Sequence, residues 1–587
     1  MIQRLKNFLA QGNRANWVLF IILALTIFIK CCLGHFFMHH SILVSSLWNQ
    51  PLYFWAFYLP KISISILLAS FVFLVKQKWS LIVLSILIDI WIWANILYFR
   101  IYGGVIDGYV LMMATNLKGF GSSIISIIEW KDLCLFLLTI LFAATIFCLK
   151  EIERRCYIRF GIVFLSACLF WIGSTNLNFY RYEVFSKREV IQKIAPLHCF
   201  THPFSQRTRI IIAGTAPAYD YSILHMFFFS INDVISLVLG ADNIPTITKE
   251  DEQILNELLG TQHYQPNDKK VILVLFESLE NWVVQPEFMP NTYRLIRSGH
   301  SLHAHKLKKQ TKSGGSADGQ MILNTGLLPI SSNAVCFAYP FNTFPSVPKG
   351  NAVTLLPHPI DVWNQKCMSP AYEYDSTIEI SEKNAFSQCT EYLKNGYDLV
   401  QIVTLTSHEP FGGTSDIPLP TDMPTMMADY IRSVNCTDRY IGEMIDSLIR
   451  YNLLDNTTIL ITGDHTIFHK ERRDKFSHYC EENNLDYGVD EEYCPLIIYS
   501  KTISNQFECF DEAYQMDAYS TLLNVLGYND YYWKGFGVNL LDSVARKNRP
   551  ISEQEAFILS DKLIRANWFE SYTIENCNFH KSYGRGG

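Results

Sequence analysis

Long apolar runs dominate the first third of the chain. Five of them approach the ~20 residues that a helix needs to cross a hydrocarbon core about 30 Å thick. They cover residues 17–37, 53–75, 79–99, 133–149 and 157–172. Because four further runs follow the first, we interpret it as a membrane helix rather than a cleaved signal peptide. The pattern predicts a transmembrane domain of five helices over residues 1–175.

The pattern changes at about residue 246 to short apolar runs separated by helical periodicity. Continuous apolar runs cover residues 271–276, 399–405 and 458–461, and a weaker one covers 495–499. Such runs suit strands buried on both faces, and an apolar set at helical spacing ends near Asn452. Residues 246–587 are therefore predicted to form an α/β domain with a mostly parallel central sheet.

Composition and charge support this division. Charged residues make up 18% of the 587, against about 25% in ordinary globular chains. Residues 1–175 carry 14 basic and 6 acidic side chains, whereas residues 176–587 carry 35 basic and 49 acidic. The acidic balance of the larger part disfavours nucleic-acid binding. The mixed segment 176–245 is predicted to be a linker with membrane-surface helices.

The distribution of basic residues predicts the orientation of the helices. The richer set of loops contains Arg4, Lys6, Arg14, Lys76, Lys78, Lys150, Arg154 and Arg155. Loops rich in Lys and Arg face the cytoplasm, and an odd number of spans places the two termini on opposite sides. The sequence thus predicts a multi-pass protein of the cell membrane whose α/β domain is extracytoplasmic.

Charged residues interrupt the predicted spans. Asp89 lies in the middle of the third run, and Lys61 lies in the second. Because an unpaired charge in a membrane is costly, we expect either a structural Lys61–Asp89 pair or a lysine whose charged end reaches the membrane surface. A proton path through Asp89 is the alternative.

Polar residues follow three predicted strands at the point where each ends. Glu277 follows the first, Ser407-His408 follows the second, and Gly463-Asp464-His465 follows the third. Chemistry in parallel sheets gathers beyond the carboxyl ends of the strands. Two carboxylates and an imidazole there predict a site for a divalent cation, with mixed N/O ligation suiting Mn²⁺ or Zn²⁺.

A glycine-rich loop supplies a candidate nucleophile. In residues 311–320 (TKSGGSADGQ), Gly314 and Gly315 permit a tight turn that presents the Ser316 hydroxyl at the head of a helix. A helix N-terminus favours an anionic phosphate, and a nearby cation would lower the pKa of the hydroxyl. This segment alone favours the other interpretation, a capping serine in a flexible loop, because loops rich in Gly and Ser are common.

Two further histidines, His303 and His305, alternate on one side of a predicted strand. They could form a second metal pair, but surface or packing histidines are the favoured interpretation.

These motifs together resemble the lipoteichoic-acid synthase family of the alkaline-phosphatase/sulfatase superfamily. The resemblance rests on Phe276-Glu277-Ser278, the GGSADGQ loop with Asn324-Thr325-Gly326-Leu327-Leu328-Pro329, Ser407-His408-Glu409-Pro410-Phe411 and Gly463-Asp464-His465. Their order and approximate spacing are similar to those of the family, as are the five preceding spans. The resemblance covers essentially the whole chain and is best over residues 271–540.

The resemblance implies a role for each motif residue. Glu277, Asp464 and His465 would bind the metal, Ser316 would be the nucleophile and touch the metal, and His408 would contact the substrate phosphate. Trp363-Asn364, with His358 upstream, resembles the substrate segment of the family. Two positions depart from the family: Ser316 replaces a threonine, and Gln365 stands where the family has an arginine.

The function implied is metal-dependent transfer of a phospholipid head-group phosphate to an extracytoplasmic lipid or glycan acceptor. A covalent phospho-serine intermediate and one divalent cation are expected, with Mn²⁺ favoured over Zn²⁺ and Mg²⁺. Phosphatidylglycerol is the favoured donor. The alternatives are phosphoethanolamine transfer from phosphatidylethanolamine and a non-catalytic membrane sensor or scaffold. The intact set of Glu277, Ser316, Asp464 and His465 argues against a scaffold.

Overall fold

A computed structural model describes most of the chain. The described residues are 14–38, 51–75, 77–102, 106, 125, 127–148, 156–170, 245–265, 268–312, 314–330, 344–468 and 470–569. They fall into a helical N-terminal unit and an α/β C-terminal unit, divided between Asp242 and Asn243. The predicted linker 176–245 lies outside the described residues except for its last one, so its role stays a prediction.

The N-terminal unit is helical in each of the five predicted runs. Its helices are α1 (Arg14–Met38), α2 (Pro51–Ala69), α3 (Lys78–Tyr102), α4 (Leu133–Cys148) and α5 (Tyr157–Phe170). Three stretches are long and apolar enough to cross a membrane: Asn16–Met38, Lys78–Arg100 and Trp130–Cys148. The chain is therefore a membrane protein with three candidate spans among its described residues. The five-span count stays a prediction, because the apolar stretches Lys61–Phe73 and Tyr157–Phe170 are shorter.

A buried charge pair lies between these helices. Lys30 Nζ of α1 lies 2.7 Å from Asp89 Oδ1 of α3, and both side chains are fully buried. Lys30 also donates to the hydroxyls of Ser85 and Thr139, each at 2.6 Å. The predicted Lys61–Asp89 pair is therefore wrong. Helix α1 continues through Lys30 to Met38.

The α/β unit is built on one mixed sheet. Its strands are β1 (Lys270–Phe276), β2 (Ser301–Lys308), β3 (Ala352–Leu356), β4 (Ser376–Glu379), β5 (Leu399–Val403), β6 (Thr457–Gly463), β7 (Tyr493–Tyr499), β8 (Phe507–Cys509) and β9 (Ala513–Tyr514). The order is β4-β3-β5-β1-β6-β7-β2-β8, and β9 pairs with β2. Only β7 is antiparallel to its neighbours among the described strands, which confirms the mostly parallel sheet.

Helices cover this sheet. They are α6 (Lys249–Leu258), α7 (Pro290–Ile296), α8 (Ser316–Thr325), α9 (Gln365–Ala371), α10 (Glu382–Lys394), α11 (Thr425–Arg450), α12 (Lys470–Glu482), α13 (Asp517–Leu526), α14 (Ser543–Lys547) and α15 (Glu553–Arg565). Ile441, Ile445 and Leu448 of α11 pack into the core with Val274 of β1. Because β1 is buried on both faces, its sequence is continuously apolar, as predicted.

The sheet order brings four loops to one edge. Strands β3, β5, β1 and β6 are consecutive and parallel, so the segments that leave their carboxyl ends lie side by side. Those segments carry His358, His408, Glu277 and Asp464-His465 respectively. The topology thus assembles residues that are far apart in the chain.

Candidate active site

Two carboxylates, an imidazole and a hydroxyl meet at this edge. His465 Nε2 lies 3.6 Å from Glu277 Oε1 and 3.6 Å from Asp464 Oδ2. Ser316 Oγ lies 3.1 Å from Glu277 Oε2 and 3.4 Å from His465 Nε2. The four residues that the sequence singled out therefore form one cluster.

Backbone donors fix the orientation of Asp464. Its Oδ1 accepts hydrogen bonds from the amides of Ser278 and His465, both at 2.7 Å. Gln515 Nε2 donates to the Asp464 carbonyl at 2.7 Å. With Oδ1 already engaged, Oδ2 is the oxygen that faces the imidazole.

Hydrogen bonds also fix the position of Glu277. Its amide donates to Thr404 Oγ1 at 2.8 Å, and its Oε1 accepts from the Ser278 hydroxyl at 2.6 Å. Burial, followed by the nearby charge of Asp464, raises the pKa of Glu277 to about 8. Two acids packed this closely repel each other unless a positive charge or a proton lies between them.

The loop before α8 aims the Ser316 hydroxyl. Gly315 has φ 49°, which favours glycine, and Ser316 then opens the helix. Asp318 Oδ2 accepts from the amides of Lys312 and Gly314 at 2.8 and 3.0 Å. A Cβ on Gly314 would lie 2.1 Å from Asp318 Oδ1, so the tight turn needs glycine there as well.

The cluster fits a single divalent cation. His465 Nδ1 lies 3.2 Å from the Thr466 carbonyl, to which it donates, so Nε2 presents a lone pair to the two carboxylates. The donor set is thus two carboxylate oxygens, one imidazole nitrogen and the Ser316 hydroxyl, grouped at metal-binding spacing. Such mixed ligation suits Mn²⁺ or Zn²⁺.

His408 lies in the segment that leaves β5, next to the cluster. The preceding residue, Ser407, donates its hydroxyl to the Glu277 carbonyl at 2.5 Å. His408 Nδ1 lies 2.6 Å from the Glu409 carbonyl, a contact that places the proton on Nδ1. The structure thus supports the placement of His408 at the same edge, while its contact with phosphate stays a prediction.

The Trp363-Asn364 segment is tied to helix α8. Both residues have left-handed backbones, with φ 52° and 48°. The next residue, Gln365, is buried and exchanges two amide hydrogen bonds with Gln320 of α8, at 2.6 and 3.2 Å. The glutamine that replaces the arginine of the family therefore anchors this turn to the helix that Ser316 begins.

His358 follows β3, and its Nδ1 lies 3.1 Å from the Pro359 carbonyl. Burial lowers the pKa of its imidazole. The sequence did not identify Asp318, Ser278 or Gln515 as supporting residues. Their roles depend on bonds to backbone groups brought together by folding, for which the sequence carries no periodic signal.

Comparison with known proteins agrees with this architecture. Residues 2–190 match the family described as Lipoteichoic acid synthase N-terminal domain, and residues 320–532 match the Sulfatase family. The chain is 22% identical over 504 residues to Lipoteichoic acid synthase 2 of Bacillus subtilis strain 168, covering 78% of this chain and 74% of that protein. It is 22% identical over 532 residues to Lipoteichoic acid synthase-like YvgJ of the same strain, covering 84% and 82%. The crystal structure of the lipoteichoic acid synthase LtaP from Listeria monocytogenes aligns with a TM-score of 0.43 at 18% identity, covering 56% of this chain and 98% of that one.

The sheet, the cluster at its carboxyl edge and the Sulfatase match define a sulfatase-like enzyme attached to membrane helices. The N-terminal match and the full-length relatives narrow this class. They make the chain similar to lipoteichoic acid synthases over most of its length.

Proposed function

We propose that this protein transfers phosphoglycerol from a membrane phospholipid, most simply phosphatidylglycerol, to an extracytoplasmic lipid or glycan acceptor. The observation that carries the proposal is the position of Ser316. Its hydroxyl opens α8 and lies within 3.4 Å of both Glu277 and His465. A hydroxyl presented beside metal-type ligands at a helix N-terminus is suited to attack a phosphate ester.

The proposed reaction has two displacements. Ser316 loses its hydroxyl proton and Oγ forms a bond to phosphorus, while the phosphorus–oxygen bond to diacylglycerol breaks and diacylglycerol takes up a proton. An acceptor hydroxyl then attacks the phospho-serine, and Ser316 regains a proton as its bond to phosphorus breaks. His408 would hold a phosphate oxygen through both steps.

A divalent cation held by Glu277, Asp464 and His465 would supply the positive charge that favours the Ser316 alkoxide and the developing phosphate charge. The chain supplies the orientation. Asp464 is held by two backbone amides, and the Asp318 turn holds Ser316 at the helix start. Preformed geometry of this kind lowers the cost of reaching the transition state.

The membrane helices support a lipid donor. They tether the domain to the bilayer that contains phospholipids, and the basic loops predict that the domain lies outside the cytoplasm. We propose the complete topology as five spans over residues 1–175, a linker over 176–245 and an extracytoplasmic catalytic domain over 246–587.

Gln365 bears on the choice of head group. Gln365 is a neutral amide bonded to Gln320, where the family has an arginine. This observation favours testing phosphoethanolamine transfer as the second candidate, since an arginine that would recognise glycerol phosphate is replaced there.

Release of labelled diacylglycerol tests both candidates. Wild type, Ser316→Ala and Ser316→Thr would be supplied with phosphatidylglycerol or phosphatidylethanolamine in separate reactions. Wild type is expected to release diacylglycerol from phosphatidylglycerol, Ser316→Thr to keep part of the rate, and Ser316→Ala to lose several kcal/mol of transition-state stabilisation, on the order of 10³-fold or more.

Thr311→Ala is the matched control, because it removes a hydroxyl from the same loop without touching the start of α8. Its rate should stay close to wild type. If Ser316→Ala and wild type release diacylglycerol at equal rates, Ser316 is not the nucleophile. Release from phosphatidylethanolamine alone would select the second candidate, and no release from either lipid would favour a scaffold.

A further inference from the structure

A second cluster of metal-type side chains lies at the far edge of the same sheet. His303 and His305 project from β2, and Glu508 projects from the adjoining strand β8, where it pairs in register with His303. Strands β6 and β7 separate β2 from the β1 strand that leads to Glu277. None of these three residues takes part in the candidate active site.

One carboxylate oxygen faces both imidazoles. Glu508 Oε2 lies 2.6 Å from His305 Nε2 and 3.4 Å from His303 Nδ1. The two imidazole rings lie with their centroids 3.8 Å apart, and the three ligand atoms lie within 4.8 Å of one another. Two nitrogens and one oxygen therefore lie close enough together to hold one ion.

The surroundings orient each ligand. His303 Nε2 lies 3.3 Å from Asn281 Oδ1, to which it donates, so its proton is on Nε2 and its Nδ1 carries the lone pair. The His305 ring stacks on Phe510 with centroids 4.4 Å apart. Gln506 donates to the other Glu508 oxygen, Oε1, at 2.7 Å. Supporting bonds of this type hold metal ligands in place.

The buried Nδ1 atom of His303 lacks a hydrogen-bond partner among the described residues. The side chain is 2% exposed, and Nδ1 completes no hydrogen bond of normal geometry within the described part of the chain. Its lone pair faces a carboxylate oxygen, and two acceptors attract each other only across a positive charge.

We infer that His303, His305 and Glu508 form a second divalent-cation site, and that its preferred ion is Zn²⁺. Two imidazole nitrogens and one carboxylate are ligands that zinc takes readily, with a fourth position left for water. His305 and Glu508 are 21% and 29% exposed, so an ion can enter from solvent. The favoured interpretation from sequence, surface or packing histidines, did not include a carboxylate, because Glu508 is about 200 residues away in the chain.

Such a site would link β8 to β2 at the edge of the sheet. β8 is only three residues long and is bound to the sheet through β2. A cation shared by β2 and β8 would fix that strand in register, so zinc should raise the thermal stability of the α/β unit.

Zinc stoichiometry tests the inference. The full-length chain, purified in detergent and stripped with a chelator, would be loaded with Zn²⁺ alone, desalted and assayed for zinc per chain. Wild type should retain two ions, whereas His305→Gln and Glu508→Gln should each retain one. His478→Gln is the matched control, because His478 is 70% exposed and also lies beside a glutamate; it should retain two.

An Asp464→Ala arm separates this site from the catalytic one. That variant should keep one zinc, and Asp464→Ala/His305→Gln should keep none. The inference is overturned if His305→Gln and Glu508→Gln both retain the wild-type zinc count, or if their melting temperatures in Zn²⁺ rise as much as that of wild type. A loss of zinc from the Asp464 variant alone would leave the active-site proposal standing and remove the second site.

Discussion

The Ser316 hydroxyl lies at the start of α8, beside the Glu277 carboxylate and the His465 imidazole. Ser407 also lies at this edge, but its hydroxyl is fully buried and donates to the Glu277 carbonyl. Ser278 likewise donates to Glu277 Oε1. Those two hydroxyls hold Glu277 in place, and Ser316 is the hydroxyl that we propose as the nucleophile.

Asp464 gives the first prediction at the residue scale. The proposed ligands besides Ser316 are Glu277, Asp464 and His465. Asp464→Ala removes one of these three, so the cation should be lost from the active site and turnover should cease. The measurement is metal content and diacylglycerol release for the purified chain, loaded with Mn²⁺ alone. Asp446→Ala is the control, since Asp446 is 60% exposed on α11 and should leave both unchanged. Unchanged Mn²⁺ content in Asp464→Ala would exclude Asp464 as a ligand.

Sequence reasoning was effective for these residues because parallel strands deliver their following residues to one edge. Glu277, Asp464 and His465 each come directly after a strand, so the apolar pattern alone placed them together. Ser316 needed a glycine turn as a further signal. Asp318 and Gln515 were missed, because they act on backbone groups whose neighbours are set only by the folded chain.

At the scale of elements, the turn that leads into α8 positions Ser316, the proposed nucleophile. Asp318→Ala would leave the amides of Lys312 and Gly314 without their acceptor, at roughly 1–3 kcal/mol for each buried group. We expect a lower kcat with a smaller change in KM, because Ser316 loses its support and not its substrate contacts. Steady-state kinetics of diacylglycerol release would measure both constants.

Asp318→Asn is the matched variant, because one amide oxygen can replace Oδ2 and accept both bonds. It should recover most of the kcat that alanine loses, and equal kcat values for the two variants would contradict a positioning role. Burial raises the pKa of Asp318 from 3.8 to about 6, so the folded state holds this proton more tightly than the unfolded state. Relative to Asn, the wild-type free energy of unfolding should fall as pH rises from about 4 to about 6.

The same scale shows where pattern reading failed. A hydrophobicity pattern locates Lys30, Lys61 and Asp89 along three helices but does not give the rotation of each helix about its axis. Lys30 rather than Lys61 therefore meets Asp89, and Thr139 of α4 completes the cluster. The sheet was easier to predict, since alternation of strands and helices restricts its topology strongly.

For the whole molecule, the membrane topology determines on which side of the membrane the α/β domain lies. The basic loops predict that residues after about 175 lie outside the cytoplasm. A reporter active only outside the cytoplasm, fused after residue 250, should therefore be active, and a cytoplasmic reporter at the same place should be silent. The same pair fused after residue 77, in the loop before α3, is the control and should give the opposite result. Cytoplasmic activity at residue 250 would overturn the five-span arrangement.

The central claim for the molecule is covalent transfer through Ser316, and peptide mass analysis tests it most directly. The full-length chain would be incubated with phosphatidylglycerol and Mn²⁺, quenched in acid and digested. We predict that the peptide containing Ser316 gains the mass of one glycerol phosphate, that Ser316→Ala shows no such gain, and that adding a competent acceptor diminishes the adduct. Release of diacylglycerol by wild type with no adduct on any peptide, or with the adduct on another residue, would contradict the account.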